Sequence, residues 1–185
     1  MPAPYGSPAA LIPLMAARFF QWQTESRIEA SAQALFEFHG DPRRLPEVMP
    51  PLPGLRWVEL PVVPPQEGGV MELHWCPLGL PLMRWRGRWK QVSPPELLVD
   101  EMLRGPLISF EHEHRFLPDG QGGCRLRDCL KFSFGSSGIA LLLGLLMCRL
   151  LLPPLFAWRH WRTRVWARKQ QRAAPQGESS ALNED

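Results

Sequence analysis

Between Asp100 and Phe134 the residues alternate so regularly that this stretch constrains the fold more than any other part of the chain. Successive strand residues point to opposite faces, so each arm divides by parity. On the first arm Phe110, His112, His114 and Phe116 share a face, against Glu111, Glu113 and Arg115. On the second, Cys124, Leu126, Asp128, Leu130, Phe132 and Phe134 oppose Arg125, Arg127, Cys129 and Lys131. The segment Pro118-Asp119-Gly120-Gln121-Gly122-Gly123 between them is turn chemistry. The pattern predicts a long antiparallel hairpin with one apolar face. That face also carries His112, His114 and Asp128. With Phe116 paired to Cys124, His112 stands opposite Asp128, about 4.5–5.5 Å away at Cβ. A slip of one pair places Asp128 beside Phe110 or His114 instead.

The preceding residues supply more strands. Arg18–Glu29 alternates, with Phe20 and Trp22 on the more apolar side. Ser31 suits an N-cap for a short helix that Gly40-Asp41-Pro42 stops, and a second short helix is expected over Arg43–Val48. Strands follow at Leu55–Leu60, Val70–Trp75, Leu82–Val92 and Leu97–Leu103. In the third of these Met83, Trp85, Gly87 and Trp89 alternate with Arg84, Arg86, Arg88 and Lys90. After the hairpin comes a helical region. An α+β arrangement, with a curved antiparallel sheet wrapped around a long C-terminal α-helix and two short helices after the first strand, buries one face of every strand.

The pattern of Asp100, Gly105-Pro106, Glu111-His112-Glu113-His114-Arg115-Phe116 and Asp128 resembles that of the SRPBCC superfamily. Within it, the similarity is to bacterial ligand-binding or cyclase-like proteins, relatives of START and pollen-allergen-type domains. The resemblance spans about Arg18 to Arg164 and implies the helix-grip fold. It also implies a cavity between sheet and helix, and some relatives are polyketide aromatases or cyclases.

The 185 residues suit one domain with a substantial core. We expect a flexible leader over 1–17, a ligand-binding domain over 18–172 and a polar tail over 173–185. Four prolines and no charge in residues 1–17 do not fit a signal peptide. Cys124 and Cys129 face opposite sides of one strand, and Cys76 and Cys148 lack spacing partners, which points to a reducing cytoplasm. Seven basic and no acidic residues fall in 149–172, whereas 1–148 is nearly balanced. The Leu-rich run Gly138–Leu152 meets Arg149 and then Pro153-Pro154, too soon for a span of about 20 apolar residues, and is expected to be a core helix or a gate over the pocket.

The expected ligand-binding residues are Trp22, Met71, Leu73, Trp75, Met83, Trp85, Trp89, Phe110, His112, His114, Leu126, Asp128 and Phe132. Apolar walls with a few convergent polar groups are how small-molecule sites are built. The expected function is therefore binding or carrying a hydrophobic molecule such as a lipid, quinone or polyketide-like aromatic. One alternative is a cyclase or hydrolase using His112 oriented by Asp128. The other is a membrane-associated accessory protein, held on an anionic surface by Trp158, Arg159, Trp161, Arg162 and Arg164. No cofactor is expected. No metal is expected either, since three or four convergent ligands are needed and only His112 and His114 stand in sequence register. The basic residues of Arg84–Lys90 alternate with an apolar face and read as solvated sheet surface, not a nucleic-acid site.

Overall fold

The computed structural model describes residues 18–173. The leader expected over 1–17, and the tail beyond Ala173, lie outside the described residues. Seven strands form one antiparallel sheet: β1 (Arg18–Ile28), β2 (Leu55–Glu59), β3 (Val70–Trp75), β4 (Met83–Ser93), β5 (Leu97–Arg104), β6 (Ser109–Pro118) and β7 (Cys124–Gly135). Their order in space is β1-β7-β6-β5-β4-β3-β2. Between β1 and β2 come α1 (Ala32–His39), a 3-10 turn (Pro42–Arg44) and α2 (Leu45–Val48). Ser31 caps α1, its Oγ accepting from the Ala34 amide at 3.2 Å.

After β7 the chain runs through α3 (Gly138–Leu146), a π-helical turn (Met147–Leu151) and α4 (Leu152–Ala173). The buried stripe of α4 runs through Leu152, Phe156, His160 and Thr163 to Trp166 and Ala167, at a spacing of three and four. At helical spacing Trp158, Trp161 and Val165 also share a stripe, and it is not the buried one. The difference has a physical cause. His160 and Thr163 are polar residues whose hydrogen bonds are made inside the fold, to Asp128 and to the Arg159 carbonyl, so burial costs them little.

Two cores flank the sheet's inner face. One gathers Ile28, Leu35, Phe36, Leu98, Phe116 and Leu126 beneath α1 and the end of α4. The other joins Leu130 and Phe132 of β7 to Leu152 and Phe156 of α4. The outer face is a cross-strand charge ladder: Arg86 with Glu72, Arg88 with Glu101, Lys90 with Glu111, Arg127 with Glu25.

The hairpin register differs from the expected one by two residues. Phe116 faces Leu126 and Pro118 faces Cys124, so His114, not His112, stands opposite Asp128. The turn sets this. Asp119 Oδ1 accepts from the amides of Gln121 and Gly123 at 2.8 and 3.0 Å, and Gly120 and Gly122 take positive φ, closing the loop within Asp119–Gly123. A shift of two residues keeps every side chain on its own face, so the division by parity survives.

Most of the Leu-rich run is neither core nor gate. Within α3 only Ala140 and Gly144 are buried, and no residue of 138–151 lines the cavity described below. Gly144 lies against the Phe20 ring, where a Cβ would collide with it. Only small residues fit that contact, so the bulky side chains turn outward. Ile139, Leu142, Leu143, Leu145, Leu146, Leu150 and Leu151 are exposed. The continuous helix Gly138–Ala173 is long and apolar enough to cross a membrane, with a mean hydropathy of 2.2 over its most apolar window, yet its second half is docked on the sheet.

Candidate functional site

Because α3 and α4 cover the β1–β7 side, the inner face of β3–β6 is left open and becomes the wall of a cavity of about 250 Å³. Met71, Leu73, Met83, Trp85 and Trp89 form its apolar sheet wall, and α1, α2 and the segment to Leu55 close the opposite side. One end is polar. Asp100, His112, His114, Arg159 and His39 converge there from β5, β6, α4 and α1, beside Phe110.

Of the expected ligand-binding residues, Met71, Leu73, Met83, Trp85, Trp89, Phe110, His112 and His114 line this cavity. Five stand elsewhere. Trp22 packs on Phe156 with ring centroids 5.0 Å apart. Phe132 and Leu126 belong to the two cores. Trp75 donates its indole N–H to the Pro53 carbonyl at 3.0 Å, away from the lining. Asp128 lies one layer behind the cavity wall, 1% exposed. The helix that buries Trp22, Leu126 and Phe132 could have covered either half of the sheet; parity alone does not say which.

Asp128 organises the polar end. Its Oδ1 accepts from His112 Nε2 at 2.9 Å, reaching diagonally across the β6–β7 pair. His114 Nδ1 lies 2.6 Å from the same oxygen, off-line for a straight hydrogen bond. Its Oδ2 accepts from His160 Nε2 at 2.6 Å, and His160 Nδ1 in turn meets Ser26 Oγ at 2.8 Å. Burial works against a charge on Asp128. The three histidines outweigh it through the charge interaction with His114 and the hydrogen bonds, holding the carboxyl well below its usual range.

Asp100 is paired with His112 across β5 and β6. Burial pushes its carboxyl up to about 6, and His112 and His114 are pushed down by burial. Arg159 stacks over Phe156 with its guanidinium 5.0 Å from the ring centre. Its side chain makes no hydrogen bond or ion pair among the described residues. Burial lowers it, while Asp128 and Asp100 pull the other way. Chemically, this end offers a carboxyl able to give or take a proton near neutrality, two neutral imidazoles and a desolvated guanidinium.

Sequence reasoning missed Asp100, His39, Arg159 and His160 as members of this cluster. Asp100 was legible in principle, two residues along from Leu98 on an inward face. His160 sits one helical turn beyond Phe156, the spacing that the stripe through Leu152 would have shown.

A raised carboxylate pKa means that ionised Asp100 strains the native state. Above the native value it is charged in both states, at a native cost; below the unfolded value it is neutral in both. Asp100→Asn is therefore expected to raise stability by roughly 1–3 kcal/mol at pH 8, the gain vanishing below about pH 4. Urea unfolding at both pH values, with chelator present, measures this. An unchanged or lower midpoint at pH 8 contradicts it.

Residues 28–153 match the sequence model of a family described as polyketide cyclase / dehydrase and lipid transport. Among curated proteins none matches this chain. Among solved structures, the chain is similar to the Zhui aromatase/cyclase from Streptomyces sp. R1128, with a TM-score of 0.66 and 15% identity, covering 85% of this chain and 98% of that one. It is also similar to norcoclaurine synthase from Thalictrum flavum, in complex with dopamine and hydroxybenzaldehyde, with a TM-score of 0.61 and 14% identity, covering 96% and 100%. At these identities the likeness is one of fold.

Proposed function

The chain belongs to the polyketide cyclase / dehydrase and lipid transport family, and on that premise we propose that it binds a hydrophobic small molecule in the cavity over β3–β6. The carrying observation is the cavity's polarity: apolar walls of Met, Leu and Trp, and a single polar end at Asp100, His112, His114 and Arg159. Such a site suits a lipid, quinone or polyketide-like aromatic lying with its oxygen-bearing end at the histidines. Native mass spectrometry of freshly purified protein tests this, with a single small-molecule adduct expected. Protein that carries no adduct, and takes none from a mixture of lipids and quinones, contradicts it.

The same end supports a cyclase reading, in which Asp100 and His112 move protons at a ligand carbonyl while Asp128 orients the ring. Turnover lost in His112→Ala, with binding and fold retained, distinguishes catalysis from carriage.

A separate observation favours contact with a lipid surface. The seven exposed aliphatic side chains of α3 and the π-helical turn form an apolar face of a kind rarely left to water. The basic residues expected to hold a membrane are otherwise engaged. Arg162 donates to the Glu47 carbonyl at 2.8 Å, Arg164 to the Arg27 carbonyl at 3.3 Å, and Arg159 lines the cavity. We infer that lipid contact runs through the leucines, with the exposed Arg149 among them. Vesicle co-sedimentation should be strong for the native protein and fall at least about tenfold in Leu142→Glu/Leu146→Glu, since each charge is costly in an apolar layer. Equal sedimentation of both contradicts this.

A further inference from the structure

Asp128 sets how the two rings are turned. Its Oδ1 accepts from His112 Nε2 at 2.9 Å and lies 2.6 Å from His114 Nδ1, so both rings direct these nitrogens towards it. The opposite nitrogens, His112 Nδ1 and His114 Nε2, point the other way. Both face Asp100: His112 Nδ1 is 3.7 Å and His114 Nε2 is 4.0 Å from its Oδ2. All three atoms lie within 4.8 Å of one another, too far apart for direct hydrogen bonds. Two ring nitrogens and a carboxylate oxygen therefore converge on one point at the cavity end, a donor set that a single cation would satisfy together.

We propose that Asp100, His112 and His114 form a binding site for a divalent first-row transition ion of the Zn²⁺ or Fe²⁺ type, open towards the ligand cavity. Ligand atoms around a tetrahedral ion at about 2.0–2.2 Å stand roughly 3.3–3.6 Å apart. The two separations from Asp100 Oδ2 exceed this by about 0.1–0.7 Å, within the reach of small side-chain rotations. Two imidazoles and one carboxylate are a donor set suited to these ions, with the remaining positions left for water or ligand. The outer support is already built. Asp128 stands at the far nitrogen of each imidazole, hydrogen-bonded to His112 and 2.6 Å from His114 Nδ1, the usual place for a carboxylate that orients metal-binding histidines. His160 and Ser26 fix Asp128 in turn. An ion here would polarise an oxygen of a molecule in the cavity, with Arg159 beside it.

Cobalt is the probe, because its visible absorption reports coordination. Protein stripped with chelator is titrated with Co²⁺, and then with Zn²⁺ by calorimetry, with no organic ligand present. The outcome is thereby independent of the hydrophobic-ligand reading. One ion per chain is expected, with bands of a low-coordinate nitrogen and oxygen environment. Asp100→Asn should weaken binding at least about 100-fold, and Asp128→Asn about 10–100-fold as an outer partner. His74→Ala, which removes the histidine paired with Glu72 on β3, should change it less than about twofold, since that pair lies outside the proposed set. Asp100→Asn is nearly isosteric, and circular dichroism and its urea midpoint verify its fold. Absence of saturable binding, or binding that Asp100→Asn leaves intact, overturns the proposal.

Discussion

Asp128→Ala is expected to destabilise the protein by about 3–5 kcal/mol, the range for stripping one partner from a buried charged network. The side chain is 1% exposed and touches three histidines that are themselves 2–5% exposed. Removing it leaves His112 Nε2 and His160 Nε2 without their acceptor, takes the carboxylate from beside His114 Nδ1, and opens a hole between β7 and α4. A pairwise His112–Asp128 contact would cost only about 1–3 kcal/mol; the added partners from β6 and α4 raise it. Linkage gives a second signature. The native carboxyl is depressed, so its stabilisation is full above the ordinary carboxylate range and is lost as pH falls through the native value. The gap between native protein and variant should shrink in acid. Urea unfolding at pH 7 and in acid measures both, and a difference below about 1 kcal/mol at pH 7 would mean that the network does not hold the sheet to the helix.

The second large effect is expected at Phe156. This ring joins the second core to the polar end: it meets Trp22 at 5.0 Å, crosses His112 edge-to-face at 5.5 Å and carries Arg159 on its face. At 2% exposure, Phe156→Ala should cost about 3–5 kcal/mol through lost burial and the void left behind. The void opens beside His112, so ligand affinity should fall together with stability. Phe156→Leu, which keeps most of the volume, should recover most of both. The Phe156 and Asp128 effects should not add, because both act on His112. Thermal unfolding of the single and double variants tests this, and strict additivity would contradict it.

The sheet was legible because alternation is a local property. Parity in β4, β6 and β7 placed Met83, Trp85, His112 and Asp128 on one inward face without knowledge of any partner. Register was less legible. It depends on the Asp119 turn, whose side chain pairs with the Gln121 and Gly123 amides and shortens the loop that the sequence suggested. The predicted His112–Asp128 hydrogen bond exists nonetheless, because a side chain can reach diagonally across a strand pair. Least legible was the helix. Its buried stripe contains the polar residues His160, bonded to Asp128 and Ser26, and Thr163, bonded to the Arg159 carbonyl, whereas apolarity alone would select Trp158 and Trp161. For the same reason Arg159 looked like a surface charge and not a cavity wall. Long-range pairing, not local pattern, decides those positions.

The central claim is that the space over β3–β6 receives a hydrophobic molecule. Calorimetric titration with 2-naphthol, for native protein and for Met71→Phe/Leu73→Phe, tests it most directly. Met71 and Leu73 are inward residues of the apolar wall, and larger rings there fill the cavity without touching the polar end. Saturation at one molecule per chain is predicted for the native protein, with affinity at least about tenfold weaker in the filled variant. Uptake that never saturates, or that the filled variant matches, would show that the cavity is not the binding site.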